Sequence, residues 1–516
     1  MTSGGGRRSA AYLLAAAPAA LVATAIWMRV ARGPAWLAFN FDPTYAYLLN
    51  SLTILEGYPP FLIHHPGLPL QAIGSIVIAA LHAATGHGPM AADVIARPET
   101  FSGWIHAVAV LLSAALVFVA GLVVDRRAGG GAAFLVQIGP WLSITAASLL
   151  GQMRAEVLIA GTATLWAAFI VAHVARPDRG DESHLGAATG VTLALHMSSL
   201  PLLLAPLLLH EAWRDRRRFL LWTGGSFLIA FAPGWLKLPS FAKQMAMIAL
   251  HAGHYGTGAA TIVDVGMYLP SAAARVAAEP IASAIVAVSL GVRRAWTRVA
   301  ATDDERPSRR ALGALTAMQI VAFALTAKHP DPHYLVAMHC TLGANLWLVG
   351  RWAARRRPAL VAPAGVGALA AIAAWNGAAL TAEAARLRAA RGAQEEAARM
   401  TDEIVRRDAC FTISAYRASS EQEALEWANL TAQYRGRPLL GAEIAGRFPR
   451  AAFDEGHLSV RDADWRPIDL GALMSREPCV IYAGEISNAP STSAAVTVEP
   501  VGTSGAEGIY RLSQVR

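Results

Sequence analysis

The stretch Phe39–Gln71, FNFDPTYAYLLNSLTILEGYPPFLIHHPGLPLQ, is a polar interruption flanked by two apolar runs, Ala10–Val30 and Pro66–Ala84. A helix rises about 1.5 Å per residue and the hydrocarbon layer of a bilayer is roughly 30 Å thick, so about 20 apolar residues cross it. Both runs come close to that length. Residues 31–65 between them are therefore expected on one face of a membrane, and each later loop is judged by whether it reaches the same face.

The 516-residue chain is 54% hydrophobic and 16% charged, the balance of a polytopic membrane protein rather than a soluble one of this size. Its formal charge of +8 is no footprint for nucleic acid. From Thr381 onward 16 Arg face 19 acids, which leaves the basic excess on short loops between apolar runs. RDRRR (Arg214–Arg218), RRAWTR (Arg293–Arg298) and RWAARRR (Arg351–Arg357) are loops of the kind the positive-inside rule places in the cytoplasm. The opening MTSGGGRRSAAYLL begins like a signal peptide, but its apolar run ends in WMRVARG without a small-residue cleavage site. It reads as a retained first span with a cytoplasmic N-terminus.

After the second run come Phe101–Val123, Gly131–Leu150, Ala155–Val174, Leu185–Leu209, Phe219–Leu236, Ile281–Val292, Ala311–Ala327, Leu335–Val349 and Pro358–Leu380, about eleven spans in all. Strict alternation puts the three basic loops inside. It puts residues 31–65, 238–280, 328–334 and the tail from 381 outside. Two places strain it: Arg126 and Arg127 fall outside, and Pro201 and Pro206 interrupt Leu185–Leu209. Arg154 and Glu156 fall inside and read as an interfacial ion pair.

The expected fold is thus mainly α: a polytopic helical bundle over residues 1–380 and a small C-terminal α/β extramembrane domain over 381–516. In that tail, Ala382–Arg407 has helical spacing and continues out of the last span. Cys410–Tyr416, Cys479–Ile486, Ala494–Val501 and Gly508–Val515 read as strands, and Ser420–Glu423 is a capping box opening a helix. Cys410 and Cys479 form either one bridge, in an oxidising compartment, or two buried thiols. Abundant Ala, Arg and Gly with scarce Lys point to a GC-rich bacterial genome, hence an inner (cell) membrane and a periplasmic tail.

Asp42 followed by Pro43 starts a helix, with Tyr45, Leu48, Leu49, Leu52 and Leu55 on one face, which suggests an amphipathic helix on the membrane surface. Capping does not exclude chemistry, because a helix N-terminus holds a carboxylate ionised. Besides Glu56, Asp42 is the only acid of its loop, and it stands where a lipid-linked head group would lie. Lys237, Lys243 and Lys328 are the only lysines among 44 basic residues, and all three lie in or beside the external loops. A compact ammonium suits a phosphate. His64, His65, His251, His254, His329 and His333 crowd the same loops. With Asp42 and Glu56 they suit either a divalent cation or a diester phosphate, and no ligand geometry singles out a metal.

An Asp shortly after the first span, HHPGLP (His64–Pro69), HAGHYGTG (His251–Gly258), KHPDPHYLV (Lys328–Val336) and AYRASSEQEALEWANL (Ala415–Leu430) together make the chain resemble the GT-C class of polyprenyl-phosphate-sugar-dependent glycosyltransferases, which includes protein O-mannosyltransferases and aminoarabinose transferases. The resemblance implies inverting transfer of a sugar from a polyprenyl-phosphate-linked donor to a lipid, glycan or protein hydroxyl at the external face, with Asp42 as general base. It implies donor-phosphate contacts within His64–Pro69 and Lys328–Tyr334, hence by His64, His65, Lys328, His333 and Tyr334, and the loop reading above adds Lys243, His251, His254 and Tyr255. Many members follow the Asp with a second acid and a Tyr. Here Pro43, Thr44 and Tyr45 follow, and Glu56 is the candidate second acid. Two other classes compete: a transporter or flippase of a lipid-linked sugar, working through His106, His196 and His339, and a non-catalytic envelope assembly protein acting through its tail.

Overall fold

The computed structural model describes residues 4–63, 67–178, 180–252, 256–261, 263–298, 305–328, 331–434, 436–454, 458–488, 490 and 496–515. The chain is mainly helical, with a small sheet near its C-terminus. It divides into two compact units, one of Met1–Met28, Ile63–Leu70 and Val108–Ala382, the other of Arg29–Leu62, Gln71–Ala107 and Glu383–Arg516.

Among the described residues five helices are long and apolar enough to cross a membrane, and seven if two bent pairs each count as one. That is fewer than the expected eleven or so, because several apolar runs are broken. Gly131–Leu150 becomes helix Gly130–Gln137, a 3-10 turn Gly139–Leu142 containing Pro140, and helix Ile144–Leu149. Trp213–Ala230 meets Ala232–Leu250 at 87°, and Val265–Ala278 meets Pro280–Thr297 at 99°. Proline at the start of the following segment, Pro233 and Pro280, removes the amide that would have carried each helix on. At the second break Glu279 accepts hydrogen bonds from the Ser143 hydroxyl (2.9 Å) and the amides of Ile144 (3.1 Å) and Thr145 (2.8 Å), satisfying donors at a helix start.

Within the first unit, side-chain contacts sort the loops into two ends. Arg127 bonds Asp181 (2.8 Å), Asp181 bonds His173 (3.0 Å), and the His173 ring meets that of His210 at 5.2 Å. Arg310 then pairs with Glu211, and Glu305 accepts from Trp296 (3.3 Å) and pairs with Arg355 (3.4 Å). All three basic loops therefore share one end with Arg127. Helix Ala155–Ala175 carries Glu156 at its other extremity, roughly 25 Å from His173 at 1.5 Å per residue. There Glu156 meets His333 and His196.

This corrects the alternation in two places. Leu185–Leu209 is not one span: helix Asp181–Leu195 runs away from the basic end to His196, and Met197–Leu209 returns to His210. The reversal is at His196, in extended backbone, and the following turn contains Pro201. Arg154 and Glu156 are not at the end of the basic loops but at that of residues 331–334.

In the second unit a six-stranded mixed sheet contains β1 (Phe411–Ala415), β4 (Ala451–Asp454), β5 (Val460–Arg461), β6 (Val480–Glu485), β7 (Val496–Ser504) and β8 (Glu507–Gln514); β2 (Gln433–Tyr434) and β3 (Arg437–Pro438) pair separately. The order is β5-β4-β1-β6-β8-β7, with β1 parallel to β4 and β6 and the other pairs antiparallel. Cys410 and Cys479, just before β1 and β6, are disulfide-bonded. Ser420 caps helix Glu421–Leu430 by accepting the Glu423 amide (2.9 Å); the Glu423 carboxylate reaches the Arg417 amide (3.3 Å) rather than that of Ser420, so half the expected capping box forms.

Two further expectations change here. Helix Phe41–Leu55 does not lie on a membrane surface: its residues from Thr44 to Thr53 are all buried. Phe41 packs edge-on against Trp427 (5.1 Å), and Asn50 bonds the Thr431 hydroxyl (3.1 Å). Helix Leu68–Thr85 has the length of a span, but from Gln71 onward it packs within this unit, with Ser75 donating to the Ser51 carbonyl (2.8 Å) and His82 paired with Asp93 (2.8 Å). Arg447 then reaches the Ile95 carbonyl and Glu421 (2.5 Å). The segment following this helix belongs to the sheet-bearing unit, whereas alternation assigns that segment and the sheet to opposite faces. The helix itself is mostly uncovered by protein and remains one of the five long and apolar enough to cross a membrane.

Candidate functional site

The segment before Asp42 is pinned rather than loose. Glu99 accepts from the amides of Ala35 (2.8 Å) and Trp36 (3.2 Å) and from the Tyr45 hydroxyl (3.1 Å), and pairs with Arg29 (3.1 Å). The Ala38 amide donates to Ser419 Oγ (3.2 Å) and the Phe39 amide to Gln394 Oε1 (3.4 Å). Helix Phe41–Leu55 begins across a kink: Asp42 has extended backbone angles (φ −93°, ψ 125°) and a cis peptide to Pro43, and Asn40 at the cap position makes no side-chain cap bond. Asp42 is exposed while Phe41 and Thr44 beside it are buried.

Asp42 lines a cavity of about 380 Å³ with Phe39, Gln394, Tyr416, Arg417, Glu485 and Glu507 among its other walls. Glu507 is buried and held by the Ser419 amide (2.7 Å) and hydroxyl. Burial pushes its carboxyl up to about 7, against those bonds and with help from Glu485. Behind the wall Glu423 is fully buried; burial raises it well above the usual carboxylate range, and Asp42 is among the charges that add to this. Arg417 stacks over the Tyr416 ring (5.4 Å) with φ at +65°, a left-handed conformation rare for a residue with a long side chain. The cavity thus offers one exposed carboxylate, two further acids, one guanidinium and aromatic surface. That set can take a proton from a hydroxyl and hold the group that bears it.

Of these residues only Asp42 was expected. AYRASSEQ carries Tyr416, Arg417 and Ser419, but nothing local assigns them a role, and Glu485 and Glu507 are strand ends in the sequence. Glu56 follows the same helix at its C-terminal end, roughly 20 Å from Asp42 along the axis, and does not line the cavity.

In the first unit, Arg154 grips Glu156 with two bonds of 2.9 Å, and Glu156 stands 3.9 Å from His333 Nε2. His333 Nδ1 meets Asp331 at 2.5 Å, and the His333 ring lies against Tyr334 (4.1 Å) and His196 (6.0 Å). One atom each of Glu156, His196 and His333 falls within 4.8 Å of the others, close enough for a metal. The donor chemistry does not fit one. The Ser198 amide donates to His196 Nδ1 (3.1 Å), so neutral His196 carries its proton on Nε2 and has no second lone pair to give. The other grouping of metal-ligand types, Asp408 with Cys410 and Cys479, has its sulfurs in the disulfide.

Among the expected phosphate contacts, His333 and Tyr334 come together. Lys328 donates instead to the carbonyls of Ile248 and Ala249 (2.7 Å each), closing the end of helix Leu238–Leu250. Lys243 is exposed on that helix, and His251 Nδ1 faces the Gly258 carbonyl (3.2 Å). His64, His65, His254, Tyr255 and His329 lie outside the described residues.

No protein-family model and no curated protein matches the chain. Among solved structures it is similar to ArnT from Cupriavidus metallidurans bound to undecaprenyl phosphate, at 16% identity over 96% of this chain and 97% of that one, with a TM-score of 0.45.

Proposed function

We propose that the chain is a membrane glycosyltransferase that moves a sugar from a polyprenyl-phosphate-linked donor to an acceptor hydroxyl, with Asp42 as general base. The observation that carries the reading is Asp42 itself: an exposed carboxylate at a pinned helix start, opening into a cavity with two further acids. The motif resemblance supplies the donor class. Asp42 takes the hydroxyl proton, the oxygen attacks the anomeric carbon from the face opposite the phosphate, and the bond to the phosphate oxygen breaks as polyprenyl phosphate leaves with the electron pair. The result is inversion. Lys243, His251, His333 and Tyr334 are assigned to the donor phosphate; Lys328, occupied with backbone carbonyls, shapes that region instead. A cell-membrane location with the sheet-bearing unit in the periplasm follows from the same reading.

The test is a reconstituted transfer assay with a short-chain polyprenyl-phosphate sugar. Asp42→Asn is expected to lower turnover by about 10²- to 10⁴-fold, the usual range for a positioned base, while donor binding persists. Undiminished turnover in Asp42→Asn would remove the assignment. Donor movement across vesicles without any transfer would favour the flippase.

A further inference from the structure

Helix Val265–Ala278 is built inside out. Val265, Met267, Leu269 and Val276 are 70%, 64%, 66% and 47% exposed, whereas Tyr268, Ser271, Ala272 and Arg275, three or four residues apart, form its covered stripe. Tyr268 donates to the Ala324 carbonyl (3.2 Å) and Ser271 to the Ala327 carbonyl (3.0 Å), at the C-terminal end of helix Arg306–Thr326. Arg275, the only charged residue of the 14, is buried, and Asp331 and Tyr334 act on its charge. A helix facing water shows the opposite arrangement, because apolar side chains gain by leaving water and charged ones lose.

We propose that this helix lies in the plane of the membrane, with its apolar face among the acyl chains of the leaflet opposite the basic loops. The inference does not depend on the transferase reading. At 1.5 Å per residue the helix is about 21 Å long, too short to cross a hydrocarbon layer of roughly 30 Å. It meets helix Pro280–Thr297 at 99°, and that helix runs to RRAWTR at the basic end; where the one crosses, the other lies flat. Exposed Val288 and Leu290 continue the apolar surface along the crossing helix. Asp264 bounds the depth: its exposed carboxylate caps the helix, accepting the amides of Gly266 (3.0 Å) and Met267 (3.4 Å). Pro270 has no N–H to give the Gly266 carbonyl. A charge and a carbonyl short of its helical donor both belong at the head-group boundary, with the apolar side chains about 5–10 Å below it. A protein partner would call for hydrogen-bonding groups on the face, and no polar side chain between Val265 and Ala278 is exposed. Residues 331–334, which follow the helix end that Tyr268 and Ser271 bind, then stand at head-group level.

The experiment uses the full chain in nanodiscs of phosphatidylethanolamine and phosphatidylglycerol, spin-labelled at Leu269→Cys, Val276→Cys or, as a loop reference, Thr261→Cys. All three positions are exposed, so the label displaces no packed side chain. Cys410 and Cys479 are bridged and Cys340 is buried, so the nitroxide reports the introduced thiol. Power saturation compares collisions with oxygen, which concentrates in hydrocarbon, and with a water-soluble nickel chelate. The labels at 269 and 276 are expected to favour oxygen and to share one depth, about 5–10 Å below the phosphates, while the label at 261 favours nickel. Nickel access at 269 equal to that at 261 would overturn the proposal by putting the face in water. A depth difference approaching 10 Å between 269 and 276 would overturn it in favour of a helix dipping into the bilayer. Shielding of both from either reagent would overturn it in favour of a protein partner or a second copy of the chain.

Discussion

Glu156 Oε1 and His333 Nε2 stand 3.9 Å apart, which fixes the start of helix Ala155–Ala175 at the same end of its unit as residues 331–334. With His173 and Arg127 at the opposite end, the loops divide into two sets. Single cysteines read this with a membrane-impermeant thiol reagent, because Cys410 and Cys479 are bridged and Cys340 is buried. Asp331→Cys is expected to label from one side of the membrane, and Arg126→Cys and Ala212→Cys, all exposed positions, from the other. Strict alternation of eleven spans pairs Asp331 with Arg126 instead, so the labelling pattern decides between them.

Glu99 does not itself line the cavity but holds the amides of Ala35 and Trp36 in the segment leading to Asp42, so it is a positioning residue. Glu99→Gln keeps the shape but weakens acceptance from the amides of Ala35 and Trp36 and the pairing with Arg29. Turnover is expected to drop by roughly tenfold to a hundredfold with the donor KM little changed, the pattern of a base displaced by a fraction of an ångström. Steady-state kinetics over a donor series makes the distinction, because loss of folding would lower active enzyme without that split.

The buried acids set a pH dependence with a defined sign. Burial lifts Glu507 to about 7 and Glu426 to about 8, above the ordinary 4.5. Between those values the folded chain holds protons the unfolded chain has released, so stability falls as pH rises from about 4.5 to 8. For Glu507 the loss is at most about 3 kcal/mol. Chemical denaturation of the full chain at pH 5 and pH 8 should show the acidic sample to be the more stable, and Glu507→Gln should flatten the part of the slope below about 7.

Lys328 and Lys243 should behave differently although the sequence pairs them. Lys328→Met removes two donors from the end of helix Leu238–Leu250 and is expected to cost about 1–3 kcal/mol of stability. Lys243→Ala, at an exposed position, is expected to leave the melting temperature unchanged and to weaken binding of a short-chain polyprenyl phosphate. Thermal scans and lipid binding measured on the same preparations separate the two.

The elements that the sequence made legible are those whose signals are local. Cys410–Tyr416 and Gly508–Val515 read as strands and become β1 and β8, and Ser420 and Glu423 mark the start of a helix; for Cys410 and Cys479 the sequence leaves a bridge and two thiols equally open, and the bridge is a finding of the structure. Asp42 also stood out locally, as an acid next to Pro at the edge of an apolar run. What escaped was whatever depends on a partner far along the chain. The walls that Tyr416, Glu485 and Glu507 give to the Asp42 cavity cannot be inferred from spacing. Leu68–Thr85 has the composition of a span, and its contacts with Ser51 and Asp93 are not legible in that composition. His196 reads as intramembrane as long as Pro201 and Pro206 count as irregularities within one span, whereas the chain reverses at His196 between two separate helical segments.

The clamp on residues 34–40 has a consequence for how the molecule is made. Ala38 is synthesised early, and the serine that receives its amide comes 381 residues later. Glu507, which holds that serine, emerges later still. Until β8 has joined the sheet the cavity around Asp42 lacks the wall that Glu507 gives it, so a chain that has not yet made β8 carries Asp42 without the cavity. On the proposed transferase reading, transfer then waits for β8, whatever the order in which the preceding segments fold.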